Sequence, residues 1–454
     1  MKLDLLKQKT ILILGLGREG ESSLRFLRRL FPDKTIGVAD QLEFKKLNKN
    51  LQKLIKLEGV EAFLGPGYLE AIKKYEVIIK TPGIATEKIK PYLSKNHILT
   101  SQTDIFLENY RDQVIGITGT KGKSTTSTLI YKILKEKGGT VELIGNIGKP
   151  PLDFFKKGKR KCLFVFELSS HQLQDLKISP KIAVFLNIYK EHLDYYKSFQ
   201  KYFSAKKNIT LWQTEKDIFI FNYEIKALRK LASQTKAKVI PFGFHNKKGC
   251  YTKNNWIIFE GRKILPIKEI PLKGKHNLLN VMAAVATSSV FEIAPKIIRK
   301  AVCEFKPLEH RLEFVGKFKG VSYYNDSLAT IPEATMEALD AIQKIETLIL
   351  GGYERKQDFT ELIKMIIKKK IPNLILFPET GKRIYKEIQK IAKKRNKPKC
   401  FLANNMEEAV KIALKVTKKG VCLLSPASAS FGLFKDYKDR GDQFKKYLQK
   451  LAKK

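Results

Sequence analysis

Short runs of Val, Ile, Leu and Phe recur along this chain, each followed by a loop and then by a lysine-rich segment with helical apolar spacing. This alternation calls for parallel strands joined by crossover helices, because parallel neighbours cannot be linked by a tight turn and both sheet faces must be covered. A length of 454 residues fits about three domains. The first block reads ILILGLG from Ile11, a helix from about Glu21 to Leu30, TIGVAD from Thr35 and EVIIKTPG from Glu76, and ends near Tyr110. The second opens on VIGITGT at Val114, with a helix from about Ser124 to Lys137, and continues through VELIGN, CLFVFELSS, IAVFLNI and DIFIFNY. Between Gly249 and Ile270 short β segments predict a small antiparallel insert, before helices around HNLLNVMAAVATSSVF and from Pro295 to Phe305. The third, from Pro307, alternates VSYYND, TLILGG, LILFPE, CFLANN and VCLLSPAS with helices, the first of them starting at Pro332. A last helix, Gln443 to Leu451, sets Phe444, Tyr447, Leu448 and Leu451 on one stripe, a docking face. The expected fold is α/β, three consecutive α/β domains at 1–110, 111–306 and 307–454.

Composition narrows the function classes. Hydrophobic residues make up 43% of the chain, enough for ordinary buried cores, so disorder is not expected. No apolar stretch approaches the roughly 20 residues of a membrane span, and the N-terminus does not read as a signal peptide. Cys162, Cys250, Cys303, Cys400 and Cys422 are scattered, with no CxxC spacing, which fits a reducing cytoplasm. The net charge of +42 admits a nucleic-acid or anionic-membrane partner, but the basic residues are spread over the whole chain and no nucleic-acid module accompanies them. Solvation of helix surfaces by lysine is the simpler account, and no nucleic acid is required.

Two glycine-rich loops follow strands. In G15-L-G-R-E-G20, with Asp40 closing the next strand, glycines let the backbone approach a diphosphate, the helix N-terminus favours an anion, and the acid reaches a ribose hydroxyl. Alone the loop fits NAD(P), another nucleotide-like ligand, or a structural turn. In V114-I-G-I-T-G-T-K-G-K-S-T125, backbone N–H groups cradle phosphates, Lys123 reaches the β/γ oxygens and the Ser124 hydroxyl can bind Mg²⁺. It departs from a strict Walker sequence, whose first glycine would fall at Ile117. Downstream, E167-L-S-S-H-Q-L and N187-I-Y-K-E-H-L-D194 each end an apolar strand, where a doubly wound sheet lines its ligand crevice. Glu167 and His192 are therefore expected to converge on the loop's metal and the reacting phosphate, as against a surface acid and a structural histidine. His171 is expected to be a loop residue.

GTKGKST, ELSS, the HLD stretch followed by Ala205-Lys206, H276-N-x-x-N280, H310-R311, N325-D-S, G351-G and S425-P-A-S-A-S-F occur in the order seen in Mur ligases. With GLGREG and T81-P-G-I in the first block, the resemblance spans nearly the whole chain. Tyr437 after SPASASF, Thr330 after NDS, and GG followed by Asp358-Phe359 are most similar to the family's D-glutamate-adding branch.

The resemblance implies a cytoplasmic, monomeric ligase with a Rossmann-like UDP-binding domain, a P-loop ATPase-like central domain and a mobile Rossmann-like C-terminal domain. In that family ATP phosphorylates a substrate carboxylate, and an amino acid's amine then displaces phosphate. The implied substrates are UDP-N-acetylmuramoyl-L-alanine and D-glutamate, in peptidoglycan precursor synthesis. Gly119, Thr120, Lys121, Gly122, Lys123, Ser124 and Thr125 would bind ATP, with Asn280 at adenine and Arg311 and Asp326 contributed by the third domain. Ser124 and Glu167 would hold one Mg²⁺; His192 and a carbamylated Lys206, with Lys207 as the competing neighbour, would hold a second. Lys123, His192 and Lys206 would be the catalytic residues. Gly15, Leu16, Gly17, Gly20, Asp40, Thr81, Gly83 and Asn146 would bind the UDP substrate. Thr330, Arg355, Lys356, Ser430, Phe431 and Tyr437 would form the amino-acid pocket.

Departures from the family fall in that pocket. Leu328 stands where a lysine often follows NDS, and Arg355 and Lys356 compete for one cationic role. An L-glutamate acceptor, another Mur step or a folylpolyglutamate-type ligase are the alternatives. The folate enzyme lacks the first domain. A basic nucleotide- or nucleic-acid-binding protein is the alternative outside the enzymes.

Overall fold

The computed structural model describes residues 3–155, 162–392 and 397–452. They form two compact units, Met1–Lys268 with Leu279–Val302, and Glu269–Leu278 with Cys303–Lys454. The first unit contains two sheets and the second contains one.

The first sheet comprises β1 (Ile11–Leu14), β2 (Ile36–Asp40), β3 (Val60–Leu64), β4 (Val77–Lys80) and β5 (Ile98–Thr100), in the order β3-β2-β1-β4-β5, all parallel. Its central runs are apolar throughout because both faces are covered. Ile11, Ile13, Val38 and Ile79 enter one core, whereas Leu12, Leu14, Ala39 and Ile78 enter another. The helix after β1 starts at Arg18, a turn earlier than expected, and ends at Leu30.

The second sheet holds β6 (Val114–Thr118), β7 (Val141–Gly145), β8 (Leu163–Glu167), β9 (Ile182–Phe185), β10 (Ile218–Asn222), β11 (Lys238–Gly243), β12 (Cys250–Lys253), β13 (Trp256–Phe259) and β14 (Arg262–Pro266). The order is β14-β13-β12-β11-β10-β9-β6-β8-β7. The expected antiparallel insert is present and is also joined to the sheet beside it. β12 to β14 are antiparallel to one another, but Phe242 pairs in parallel with Cys250, so they extend the main sheet.

The second unit's sheet is β15 (Glu313–Phe318), β16 (Val321–Asn325), β17 (Ile345–Gly352), β18 (Asn373–Glu379), β19 (Lys399–Leu402) and β20 (Val421–Leu424), ordered β15-β16-β20-β17-β18-β19 with β15 the antiparallel edge. Period-two alternation divides its side chains: Leu348, Leu374 and Leu423 face one core, and Ile349, Ile375 and Leu424 the other. The last helix runs Tyr437–Ala452, longer than expected, and docks on the second of these cores through Phe444 and Leu448, with Tyr447 and Leu451 packed alongside.

Each sheet has a central strand where the winding reverses, β1, β6 and β20 respectively. In open α/β sheets, ligands bind beyond the C-terminal ends of strands at such points.

Candidate active site

At the reversal of the second sheet, β6 ends in the buried Thr118, and Gly119 to Gly122 lead into the helix Lys123–Glu136. Gly122 has φ +84°, and a Cβ there would lie 2.2 Å from Asn280 Oδ1, so only glycine lets the helix Lys275–Ser289 approach this closely. Asn187, just beyond β9, clamps the loop: its Oδ1 accepts from the Lys121 N–H and its Nδ2 donates to the Lys121 carbonyl, both at 2.9 Å. The Thr120 hydroxyl accepts from the Tyr189 N–H at 2.9 Å and lies 3.1 Å from the Tyr202 hydroxyl. Lys123 folds back, Nζ donating to the Gly119 and Thr120 carbonyls at 3.0 Å each. Ser124 is half-buried and Thr125 buried in the first turn, the end of a helix whose dipole favours anions.

Lys206, in the helix Phe199–Leu211, is only 1% exposed and donates to the Gly119 carbonyl at 2.9 Å and Thr118 Oγ1 at 3.3 Å. Its neighbour Lys207 lies instead over the Phe203 ring. Burial first, and then the charge on Lys123, hold the Lys206 amine well below the ordinary lysine range. Glu167, the last residue of β8, is 1% exposed. Its Oε1 accepts from Asn146 Nδ2 at 2.8 Å, while Oε2 is buried with no hydrogen-bond partner among the described residues.

His192 has φ +56°, and its ring packs edge-on to His171 at 4.9 Å between centroids. His171 is not the loop residue expected: it lies in the short helix Ser170–Leu173. Within the motif ending at Asp194, the side chains of Leu193 and Asp194 fall outside the described residues. Glu191, passed over in the sequence although it sits in the same motif, pairs with Lys121 at 3.0 Å. Burial works to raise its carboxyl, but Lys121, His192 and Lys123 outweigh that and hold it at about 2. No group of three or more His, Cys, Asp or Glu side chains that could hold a metal ion occurs among the described residues. A cation site here would therefore need hydroxyl, phosphate or modified-lysine oxygens besides Glu167.

A cleft of about 570 Å³ opens at the reversal of the first sheet, lined by Gly15, Gly17, Asp40, Thr81, Gly83 and Asn146 among others. Asp40 accepts from the Leu16 N–H at 2.6 Å and from the Leu42 N–H at 2.8 Å, which sets the turn after β1. Gly20 is a packing position, because a Cβ there would fall 2.0 Å from the Gly15 carbonyl oxygen. Arg18, missed in the sequence, donates to the Gly145 carbonyl at 2.5 Å beside Asn146.

In the second unit, Asp326 follows β16 and accepts from the Leu312 N–H at 3.2 Å and the Ser425 hydroxyl at 2.8 Å. Burial raises its carboxyl to about 7 against those two bonds and the nearby Arg311. Thr330 offers its carbonyl to Gln357 Nε2 at 3.2 Å. The Arg355 guanidinium lies 5.5 Å over the Phe431 ring, whereas Lys356 is exposed with φ +55°. Ser430 is buried, Tyr437 opens the last helix, and Leu328 is half-buried. Arg440, fully buried and not singled out in the sequence, donates to the Ser327 hydroxyl at 3.0 Å and carbonyl at 2.7 Å, and to the Ser428 carbonyl at 3.0 Å. It thereby ties the NDS turn to the SPASAS loop.

Residues 117–288 match the Mur ligase middle domain, and residues 310–428 match the Mur ligase glutamate ligase domain. A UDP-N-acetylmuramoylalanine–D-glutamate ligase of Clostridium botulinum (strain Langeland) is 33% identical over 454 residues, covering 99% of this chain and 98% of that protein. One from Acetivibrio thermocellus is 33% identical over 462 residues, covering 98% and 97%. Among solved structures, the UDP-N-acetylmuramate–alanine ligase of Thermotoga maritima superposes with a TM-score of 0.60 at 16% identity, covering 98% of this chain and 100% of that one, a likeness of fold. With two domain models matched in order and relatives 33% identical from end to end, the chain belongs to the Mur ligase family of ATP-dependent, amide-bond-forming enzymes.

Proposed function

We propose that this chain joins D-glutamate to UDP-N-acetylmuramoyl-L-alanine through an acyl phosphate, with ATP as the phosphoryl donor. The hydrogen bond from Asn146 to Glu167 carries the reading. It joins the wall of the first-sheet cleft to the buried carboxylate at the end of β8, one strand from the phosphate loop on β6. A substrate with its UDP moiety in that cleft can thus bring its alanyl carboxylate toward the γ-phosphate.

The substrate carboxylate attacks the γ-phosphorus and ADP departs. The glutamate amine then adds to the acyl carbonyl, loses a proton, and the tetrahedral intermediate expels inorganic phosphate. Lys123 would leave the loop carbonyls to neutralise the γ-phosphate, and the N–H groups of Gly119 to Thr125 would orient the phosphate chain. Asn280 would meet adenine, and Arg311 and Asp326 remain assigned to ATP.

Ser124 and Glu167 suit one Mg²⁺, because Glu167 Oε2, buried with no hydrogen-bond partner among the described residues, is a carboxyl oxygen placed to meet a cation. His192 and Lys206 would suit a second once the neutral Lys206 amine has added CO₂ and released a proton, which replaces a buried amine by a carboxylate-like oxygen ligand. Magnesium would supply charge neutralisation on the transferring phosphoryl group.

Gly15, Leu16, Gly17, Gly20, Asp40, Thr81 and Gly83 are read as the UDP site, and Asn146 as a contact to the muramoyl-alanine arm. Thr330, Arg355, Ser430, Phe431 and Tyr437 are read as the glutamate pocket, Arg355 being favoured over Lys356 by its stacking on Phe431. Domains at 1–110, 111–306 and 307–454, a monomer and a cytoplasmic setting complete the proposal. None of the helices among the described residues is long and apolar enough to cross a membrane.

The test is phosphate release from ATP with UDP-N-acetylmuramoyl-L-alanine and Mg²⁺, offering D-glutamate, L-glutamate, meso-diaminopimelate and L-alanine in turn. Stimulation by D-glutamate is expected. If no amino acid stimulates release, the ligase reading is wrong; if L-glutamate wins, only the acceptor assignment is.

A further inference from the structure

An acid sits where the first-sheet cleft should receive an anion. Glu19 occupies the first turn of the helix Arg18–Leu30 and lines the cleft with Gly15, Gly17 and Arg18. Its Oε1 accepts from Gln172 Nε2 at 2.7 Å. The amide of Gln172 cannot turn over, because its own Oε1 accepts from the Ser169 N–H at 2.9 Å and the Ser169 hydroxyl at 3.0 Å. Glu19 Oε2 is left buried, with no hydrogen-bond partner among the described residues. The turn itself is fixed, since the Glu19 carbonyl accepts from Ser23 Oγ at 2.8 Å and Gln102 Nε2 at 3.0 Å.

The charges around it do not neutralise it. Arg18, in the same turn, directs its guanidinium to the Gly145 and Gly148 carbonyls. Lys80, at the end of β4, is paired with Asp175 at 3.3 Å. Asp40 and Lys88 belong to other walls of the cleft, and His171 shares the short helix of Gln172. Burial, the largest influence, lifts the Glu19 carboxyl to about 7 although Gln172, Arg18 and Lys80 all act to lower it. An ionised carboxylate here would face a bound diphosphate across a wall of low dielectric, with Oε2 unsolvated. A neutral acid removes both penalties.

We propose that Glu19 is a positioning residue for the UDP substrate which must be neutral for the diphosphate to bind, so that substrate binding takes up a proton at this side chain. The inference rests on the UDP reading of the cleft and adds a condition to it.

The experiment is calorimetric titration of the full chain with UDP-N-acetylmuramoyl-L-alanine at several pH values from 6.5 to 8.5, in phosphate and in Tris, whose ionisation enthalpies differ. Uptake approaching a single proton is expected at the upper end. The affinity should fall above pH 7 toward the limit of about tenfold per pH unit that one linked proton allows. Glu19→Gln should flatten the pH dependence and bind more tightly than the wild type at pH 8.5. Binding with no buffer-dependent heat, or a wild-type slope in the Gln variant, would overturn the role of Glu19 and leave the UDP site intact. Absence of binding at every pH would overturn the UDP reading, and this inference with it. The wild-type proton count decides the matter even if the variant does not fold.

Discussion

Lys206 Nζ donates to the Gly119 carbonyl at 2.9 Å, so a fully buried amine is held against the backbone of the phosphate loop. An ammonium there is disfavoured by burial and by Lys123, and the neutral amine is the form that can add CO₂. Lys206→Ala is expected to lose activity by about 100-fold or more, the scale of a lost metal ligand or transition-state contact. Added formate or acetate should restore part of it. In ¹³C-bicarbonate the wild type should show a carbamate NMR signal that vanishes in Lys206→Ala and persists in Lys207→Ala. Full activity in Lys206→Ala would remove the carbamate from the mechanism. Because the folded amine titrates below its ordinary value, activity should fall as pH drops through that depressed value, where protonation blocks the carbamate.

Asn146 and Glu167 come from neighbouring strand ends, β7 and β8, in register at Gly145 and Glu167. Removing the donor leaves Oε1 as well as Oε2 without a hydrogen-bond partner among the described residues. Asn146→Ala is expected to lower kcat/KM by about 10- to 100-fold, as loss of an outer partner of a metal ligand commonly does, and to raise the Mg²⁺ concentration needed for half-maximal rate. Steady-state phosphate release at varied Mg²⁺ measures both. An unchanged Mg²⁺ requirement would take Glu167 out of the cation site.

How far these sites were legible depended on the kind of signal each residue left. β1, β2, β4, β6 and β8 announced themselves because parallel strands buried on both faces must be apolar throughout, and the glycine loops, Asp40 and Glu167 sit directly at the ends of β1, β6, β2 and β8. β3 and β15 left no such signal, as edge strands with mostly part-exposed or exposed side chains. The β12 to β14 hairpins were visible, but their attachment to β11 depends on two pairings, Phe242 with Cys250 and Gly243 with Tyr251, that no local pattern encodes. Arg440 and Gln172 were illegible for a similar reason. Their partners, Ser327 and Glu19, lie more than a hundred residues away, and the NDS, GLGREG and ELSSHQL motifs that hold Ser327, Glu19 and Gln172 do not encode which distant side chain each one meets.

Gly122 and Asn280 make a third testable pair. Alanine at 122 would keep the left-handed φ of +84° and bring its Cβ to 2.2 Å from Asn280 Oδ1. The backbone conformation alone costs a non-glycine residue about 1–2 kcal/mol. Gly122→Ala should lower the melting temperature and raise the KM for ATP. Combining it with Asn280→Ala should recover part of the stability, since the collision partner is gone, but not the ATP affinity. Additive loss of stability in the double variant would mean that the two side chains do not meet.

Arg355 and Lys356 are adjacent in sequence yet differently situated. The guanidinium of Arg355 is stacked on Phe431 beside the buried Ser430, and Tyr353 lies edge-on to the same ring at 6.1 Å. Stacking on an aromatic face restrains the planar fork that a carboxylate can grip in two places. Lys356 is exposed, and its left-handed backbone turns the chain toward Gln357, which holds Thr330. A charge-assisted contact is worth about 1.5–3 kcal/mol, so Arg355→Ala should raise the KM for D-glutamate by about 10- to 100-fold and leave that for UDP-N-acetylmuramoyl-L-alanine unchanged. Arg355→Lys should fall between, keeping the charge and losing the fork. Lys356→Ala should stay within about twofold of the wild type, the usual outcome for an exposed side chain outside a built site. If the KM for D-glutamate rises in Lys356→Ala and not in Arg355→Ala, the carboxylate is gripped by the exposed lysine. The half-buried Leu328, in place of a lysine, would then leave this pocket with a single flexible cation.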